Sequence, residues 1–526
     1  MTTRHPDSAG AGGPTRTGLV GAAWAGVAAA VLGAGLGELT AALLAPPSSP
    51  FAAIGGFMID IAPPWAKDAA IELFGTFDKI ALLIGIGIVL ALVAAAAGVL
   101  ELLRPPWGRV ALLLLAAFGL AAALSRANAT GLSWVPSAVA GIVSMFTLGM
   151  LVRRLPAPTA SVPDDDPEDA TTAPDRRRFL LWSGGAAALG VLAALGSAAA
   201  GAGRRTATMV RDAIRLPEPA VPAPPVPDAA DLEIPGLAPV ITPNRDFYRI
   251  DTALVVPQVD PGEWTLRIHG MVENEVTIDW QELLDLPLEE SAVTLACVSN
   301  EVGGGLIGNA MWLGYPIREL LARAVPSADA DMVLSRSVDG FTAGTPLEVL
   351  TDERNAILAV GMNGEPLPAE HGFPVRMVVP GLYGYVSATK WVVDLEVTRF
   401  DAATAYWTDR GWSERGPVKL QSRIDVPQGS VDAGERVIAG VAWQQHVGIR
   451  GVEVQVDDGP WQQADLARAM SDDTWVQWSL AWTAKPGEHR IRCRATNAQG
   501  ETQTSERVGV VPDGATGWHE VTVAVG

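Results

Sequence analysis

Five long stretches in the first part of this chain consist almost wholly of Gly, Ala, Val, Leu and Ile, and no water-soluble core could absorb them all. They cover residues 17–45, 79–100, 108–126, 133–152 and 179–201. At about 1.5 Å of rise per residue, a run of about 20 apolar residues crosses a hydrocarbon layer of about 30 Å, so the pattern predicts five transmembrane helices. A shorter apolar run, 51–64, ends in Pro63-Pro64 and reads as an interfacial or re-entrant piece. A chain of 526 residues also exceeds what one core can serve. The expectation is a membrane domain over 1–203, followed by domains outside the bilayer.

Basic residues beside the apolar runs set the orientation. Arg4 and Arg16 precede the first run, Arg104 and Arg109 separate the second from the third, Arg153 and Arg154 close the fourth, and Arg176 to Arg178 open the fifth. Alternating spans put these groups on the cytoplasmic side, leaving Lys67, Lys79 and Arg126 outside. The C-terminal half is then extracytoplasmic and the protein a multi-pass cell-membrane protein. The segment from Asp175 to Leu181, DRRRFLL, runs into a small-residue apolar stretch and looks like a twin-arginine export signal, although an arginine cluster beside a helix also serves as a plain anchor. All six histidines (5, 269, 371, 446, 489 and 519) lie outside the spans, so no haem is expected between these helices. Glu38 is the ionisable residue well inside an apolar run, where such groups are functional candidates, although near the outer end of the run it reads equally as an interfacial Glu.

Two linkers interrupt the pattern. Residues 155–174 combine prolines with the acidic run Asp164 to Asp169 and read as an unfolded cytoplasmic loop. Residues 204–239, rich in Pro and Ala, read as a stiff extended spacer. Beyond the membrane region charge accumulates: residues 1–203 hold 12 Lys/Arg against 13 Asp/Glu, leaving 26 against 45 for the remainder. An acidic catalytic half argues against a nucleic-acid partner, which requires a basic face.

Residues 291–317 bear most directly on chemistry. An apolar run from Ala292 to Ala296 reads as a strand that delivers Cys297 at its end, and Gly303 to Gly305 follow, where a bulky group can approach the backbone. A thiolate is a soft ligand for a transition metal. With one such sulfur on offer, the other ligands are expected from a cofactor. The second cysteine, Cys493, alternates with Ile491 and Ala495 on one face of a strand and reads as core. Further strands are predicted over 264–270, 437–443, 452–456, 475–482 and 489–496, with a helix over 280–286.

Cys297, the segment DGFTAGTPLEVL from Asp339, the segment ILAVGMNGEPLPAEHGFPVRMVVPGLYGYVSATKW ending at Trp391, and YWTDRGW (406–412) together resemble the sulfite oxidase family of molybdopterin enzymes. The resemblance covers about 237–526. It implies a multi-domain chain: N-terminal transmembrane helices, an α+β sulfite-oxidase-type molybdopterin domain over 240–402, and a C-terminal immunoglobulin-like β-sandwich over 403–526 of the kind that forms homodimers. It further implies a Mo-molybdopterin cofactor with Cys297 as the protein's metal ligand. Phe247, Tyr248, Arg249, Asp339, His371, Arg376, Ser387 and Lys390 would contact the cofactor: Phe247 to Asp251 lining the pocket, Arg376 and Lys390 on the phosphate, Asp339 and His371 on the pterin edge. Arg249 could meet an anionic substrate, and Tyr383 or Tyr385 the reacting oxygen.

The implied activity is oxygen-atom transfer to or from a small oxo-acceptor or oxo-donor substrate, with an external electron-transfer partner. One departure bears on the substrate. The family follows its cysteine with an arginine pair, whereas this chain has Glu301 and Val302 there, and added negative charge weakens an anion site. The resemblance also offers, through the family's periplasmic relatives, sulfoxide reduction of the methionine-sulfoxide type as the alternative enzyme reading, and a membrane-tethered binding or scaffold protein is the alternative outside enzymes.

Overall fold

The computed structural model describes residues 15–45, 48–61, 78–126, 129–155, 172–202, 210–253 and 255–526. The chain divides into two compact units, one of residues 1–205 with 253–255 and one of 206–252 with 256–526. Arg4, His5, Lys67 and most of the acidic loop expected at 155–174 lie outside the described residues.

The first unit contains six described helices: α1 (Arg16–Leu44), α2 (Pro50–Ile61), α3 (Asp78–Leu103), α4 (Trp107–Leu124), α5 (Val135–Val152) and α6 (Thr172–Ala202). All but α2 are long and apolar enough to cross a membrane. Helix α1 is central, packing on α3, α5 and α6 through Ala22, Ala25, Gly26, Ala28 and Ala29, all buried. Close approach explains one glycine of α1 and one of α3. A Cβ on Gly26 would collide with the Ala94 carbonyl, and one on Gly98 with that of Ala22, so α1 and α3 meet backbone to backbone as small residues permit. Glu38, a functional candidate by sequence, is used structurally. Its carboxylate accepts from Ser49 Oγ at 2.8 Å and from the Phe51 amide at 3.1 Å, satisfying the start of α2. The described part of the run 51–64 thus lies in the 12-residue helix Pro50–Ile61, and Pro63 and Pro64 lie outside the described residues.

The second unit begins as an α+β arrangement. One mixed sheet has the order β2-β1-β10-β5-β6, with β1 (Thr265–Gly270), β2 (Val276–Asp279), β5 (Met332–Ser337), β6 (Thr342–Pro346) and β10 (Val392–Thr398). The other runs β3-β4-β7-β8, with β3 (Glu289–Ala296), β4 (Ile307–Pro316), β7 (Ile357–Met362) and β8 (Glu365–Pro366), and β9 (Arg376–Val378) also paired to β7. Leu266, Ile268, Val333 and Leu395 of the first sheet share a core with Ile307, Leu358, Val360 and Met377 of the second. The short helices α7 (Trp280–Asp285) and α8 (Ile317–Ala324) contribute Leu283, Leu320 and Leu321 to it.

The C-terminal part is β-rich. A four-stranded sheet (β11-β13-β17-β16) and a five-stranded sheet (β12-β19-β18-β14-β15) are built from β11 (Gln421–Val426), β12 (Ser430–Val431), β13 (Gly434–Trp443), β14 (Ile449–Val456), β15 (Gln462–Gln463), β16 (Asp465–Leu466), β17 (Val476–Ala484), β18 (Gly487–Asn497) and β19 (His519–Val525). They enclose one core in which Ile438 and Trp478 meet Val452, Ile491, Cys493 and Val523. Cys493 is fully buried there, on the strand face the alternation predicts.

Two expectations change. The spacer at 204–239 is not free along its described length. Arg211 binds Glu365 and the Leu367 carbonyl, the Ala220 amide donates to Leu288 O, and the Leu232 amide donates to Gln477 Oε1 at 2.7 Å. Proline favours an extended path but leaves the other residues' amides able to bond whatever surface that path follows. The boundary at 403 also falls too early, because Ala405 packs with Met332 and Leu334 and the first strand of the β-rich part starts only at Gln421.

Candidate active site

Strand β3 ends at Ala296, and Cys297 follows with its amide bonded to Leu306 O at 2.9 Å. The residue is 8% exposed and lines a cavity of about 860 Å³ including its open mouth. Burial pushes the thiol's pKa up; the Ser299 amide and hydroxyl pull the other way and do not prevail. Ser299 lines the cavity too.

Phe247 and Tyr248 enter from the segment after the 3-10 turn Asn244–Asp246. Phe247 stacks on Tyr248 at 5.2 Å and meets Trp312 and His371 edge-on at 5.8 and 5.6 Å. Gly308 in β4 makes this possible, since a Cβ there would lie 2.7 Å from the Phe247 ring. His371 Nε2 is 3.1 Å from Asn244 O, which requires the proton on Nε2 and leaves Nδ1 as an acceptor. Burial and the nearby Arg376 lower its pKa to about 4, so the ring is neutral.

Arg376, the first residue of β9, is 5% exposed. Its donors reach only carbonyls, those of His371 (3.1 Å), Met377 (3.3 Å) and Ala388 (3.5 Å), and its guanidinium lies over Trp312. Among the described residues no carboxylate pairs with it. Burial lowers its pKa to about 10. The backbone of Lys390 forms an isolated antiparallel bridge with that of Arg376, and its Nζ donates to Asp251 Oδ2 at 2.7 Å. Burial brings its pKa down to about 8 despite that carboxylate. Asp339, on the turn between β5 and β6, accepts from Thr252 Oγ1.

The structure therefore brings Phe247, Tyr248, Cys297, Asp339, His371, Arg376, Tyr385 and Lys390 to one cavity. It does not bring Arg249 or Ser387 among the lining residues. Arg249 is partly exposed and tied to Asp251 at 2.8 Å; Ser387 is fully buried and donates to Tyr383 O at 3.0 Å, shaping the loop behind the wall. Tyr385 donates to Ser413 O at 2.8 Å. Glu301 is exposed and also off the lining, so its charge acts through solvent rather than inside the site. The glycines face elsewhere as well: Gly303 abuts His519, and Gly303 and Gly305 line a second, more open hollow with Arg423, Asp425 and His519. Their conformational freedom serves packing against the β-rich part instead of ligand approach.

Sequence reasoning missed Phe341, Trp407 and Trp412 in the wall. The signal is present in YWTDRGW, a segment that a boundary at 403 places in the following domain. An aromatic row runs from Tyr385 to Trp412 (5.9 Å), Trp407 (6.1 Å), Tyr406 (5.2 Å) and Phe341 (5.9 Å).

The site fits a molybdopterin. No group of three or more His, Cys, Asp or Glu suited to a metal ion occurs among the described residues, so a metal at Cys297 needs ligands from a cofactor. Arg376 supplies a buried cation with no carboxylate partner among the described residues, ready for a phosphate.

Comparison with known proteins agrees. Residues 253–407 match the family described as oxidoreductase molybdopterin binding domain. An uncharacterized oxidoreductase of Bacillus subtilis, YuiH, is 31% identical over 180 residues, covering 34% of this chain and 87% of that protein. The chain belongs to the sulfite oxidase family of molybdopterin oxidoreductases. Two further family relatives are mitochondrial sulfite oxidase of Rattus norvegicus, 30% identical over 54% of this chain, and the protein-methionine-sulfoxide reductase catalytic subunit MsrP of Burkholderia mallei, 32% identical over 40% of it. The chain spans 62% of the length of the rat sulfite oxidase and 66% of that of MsrP.

Proposed function

We propose that this protein is a membrane-anchored molybdopterin oxidoreductase that transfers an oxygen atom to or from a small substrate on the extracytoplasmic side. One observation carries the reading: Cys297 opens onto the same cavity as Arg376, a buried cation with no carboxylate partner among the described residues. When bound, the cofactor supplies a metal that exchanges an oxygen atom and two electrons with substrate. The protein's residues have separate tasks. Cys297 gives the metal its protein sulfur. Arg376 and Lys390 hold the phosphate, and Lys390 keeps most of its charge at neutral pH. His371 and Asp339, which line the cavity, would offer acceptors to the pterin edge. The aromatic row limits water and orients substrate. Electrons leave or enter through an external partner. The five long apolar helices and the placement of basic residues support the anchoring and sidedness, and the two-sheet C-terminal part supports an immunoglobulin-like domain and, by family resemblance, a homodimer.

A second reading, reduction of an organic oxide such as a sulfoxide, is favoured by the charge inventory. Lys390 and Arg249 share Asp251, Arg376 is committed to the cofactor, and the outer wall is aromatic. An inorganic dianion would find no uncommitted cation among these residues, whereas a neutral group with an apolar flank would find a surface to stack on.

Metal analysis of the full-length protein in detergent tests the core claim. Stoichiometric molybdenum is expected, and a folded preparation without it favours a binding or scaffold role. Turnover of sulfite against a panel of sulfoxides, with artificial electron carriers, separates the two enzyme readings. Cys297→Ser is expected to reduce turnover by more than about a hundredfold with the fold retained, since loss of a metal ligand exceeds the 10–100-fold effect of losing a ligand's partner.

A further inference from the structure

Strand β3 is an edge strand, and what closes its open side comes from distant sequence. At its start, the Glu290 amide donates to Val221 O. Nearer Cys297, the β-rich part takes over at a single residue, Thr294, which is 2% exposed. The Thr294 amide donates to Asp473 O at 3.0 Å. Its carbonyl accepts from Gln445 Nε2 at 3.0 Å, and its hydroxyl accepts from the Trp475 amide at 2.8 Å.

Beyond Cys297 the β-rich part grips the chain again. Arg423 Nη1 donates to Gly304 O at 2.9 Å, with its guanidinium aimed by Asp425. His519, fixed by accepting the Ile424 amide at 2.9 Å, fills the space beside Gly303. The loop between is bonded within itself: Asn300 N to Cys297 O at 3.1 Å, Leu306 N to Asn300 Oδ1 at 2.7 Å. Cys297 therefore sits between two attachment points, three residues after one and seven before the other.

We propose that the β-rich C-terminal part positions Cys297, acting through Gln445 on the strand and Arg423 on the loop. Neither residue touches the cavity that Cys297 faces. An unclosed strand edge leaves backbone groups free to exchange with water and lets the strand end fray. Each attachment removed should raise the population of states in which the sulfur has left its setting.

Cys493 provides an internal reference, because it is buried in the core of the same β-rich part. In the full-length chain produced without molybdopterin, alkylation of both cysteines is followed by mass spectrometry under native conditions. Losing a partly buried charge-assisted bond should accelerate Cys297 modification by about tenfold in Arg423→Ala, with a smaller rise in Gln445→Ala. Cys493 should stay as slow as in the parent, and Arg423→Lys should restore part of the protection. An unchanged Cys297 rate overturns the proposal. So does a parallel rise at both cysteines, which would mean general loosening of the β-rich part. In cofactor-loaded protein, Arg423→Ala should change the paramagnetic spectrum of the metal at unchanged molybdenum content. The alkylation result does not depend on the cofactor, so it stands or falls apart from the proposed activity.

Discussion

Lys390 Nζ lies 2.7 Å from Asp251 Oδ2, and both side chains are almost wholly buried. The same oxygen takes Arg249 Nε at 2.8 Å, so one carboxylate restrains two cations at the edge of the cavity. A buried pair of this kind is costly to half-dismantle. Here it keeps an ammonium charged where desolvation alone would favour the neutral amine.

Asp251→Asn should therefore lower the pKa of Lys390 below its value of about 8. If Lys390 holds the cofactor phosphate, molybdenum retention in the parent falls as pH rises through about 8, and the variant loses it at lower pH. Folding stability moves the other way. The folded pKa lies below the unfolded one, so the unfolded state binds more protons between the two values and stability rises with pH across that window. Metal content after dialysis at graded pH checks the first trend, and identical curves for the two proteins would remove Lys390 from the phosphate site.

Trp412→Ala tests the aromatic wall. Losing one stacking surface is expected to raise KM for an aryl sulfoxide about tenfold, with kcat and the KM for dimethyl sulfoxide nearly unchanged. Steady-state kinetics on molybdenum-loaded protein would show an equal effect on both substrates if the residue only supports the fold.

Gly308→Ala places a methyl 2.7 Å from the Phe247 ring. Overpacking of this kind costs about 1–3 kcal/mol, and the shift of Phe247 should also weaken cofactor retention. Denaturant titration measures the first effect. Adding Phe247→Leu to the variant should recover part of the loss.

Acid should weaken the second unit before most carboxylates titrate. Burial lowers His371 and His519 to about 4 from an ordinary value of 6.5. As pH falls through that interval the unfolded chain takes up protons that the folded one refuses, and stability drops with each. Melting temperature measured against pH should fall less steeply over this range in His519→Asn, which keeps an acceptor for the Ile424 amide; an unaltered slope would exclude His519 as a contributor.

Much of the architecture was legible because each signal was local. Apolar length marked the five long helices, and alternation marked β1, β13, β14 and β18. An apolar run ahead of Cys297 marked β3, and eight of the ten expected site residues share its cavity. What was illegible depends on contacts between distant segments. Glu38 reads as a functional candidate within an apolar run until Ser49 and Phe51 are seen to use it. Gly303 to Gly305 read as room for a ligand until His519 is found against them. Arg249 reads as a substrate contact, yet a carboxylate two residues away holds it off the cavity wall. Trp407 and Trp412 belong to the wall although the strands that follow them build another layer.

The closure of β3 by the chain around Asp473 and Trp475 also bears on how the protein is made. Thr294 and Trp475 are 181 residues apart, so a ribosome that has just completed the α+β layers has not yet supplied the groups that seal the strand ahead of Cys297. Cofactor insertion into a finished setting must wait for nearly the whole polypeptide, and a fragment ending at residue 402 would carry an open strand edge in place of a complete site.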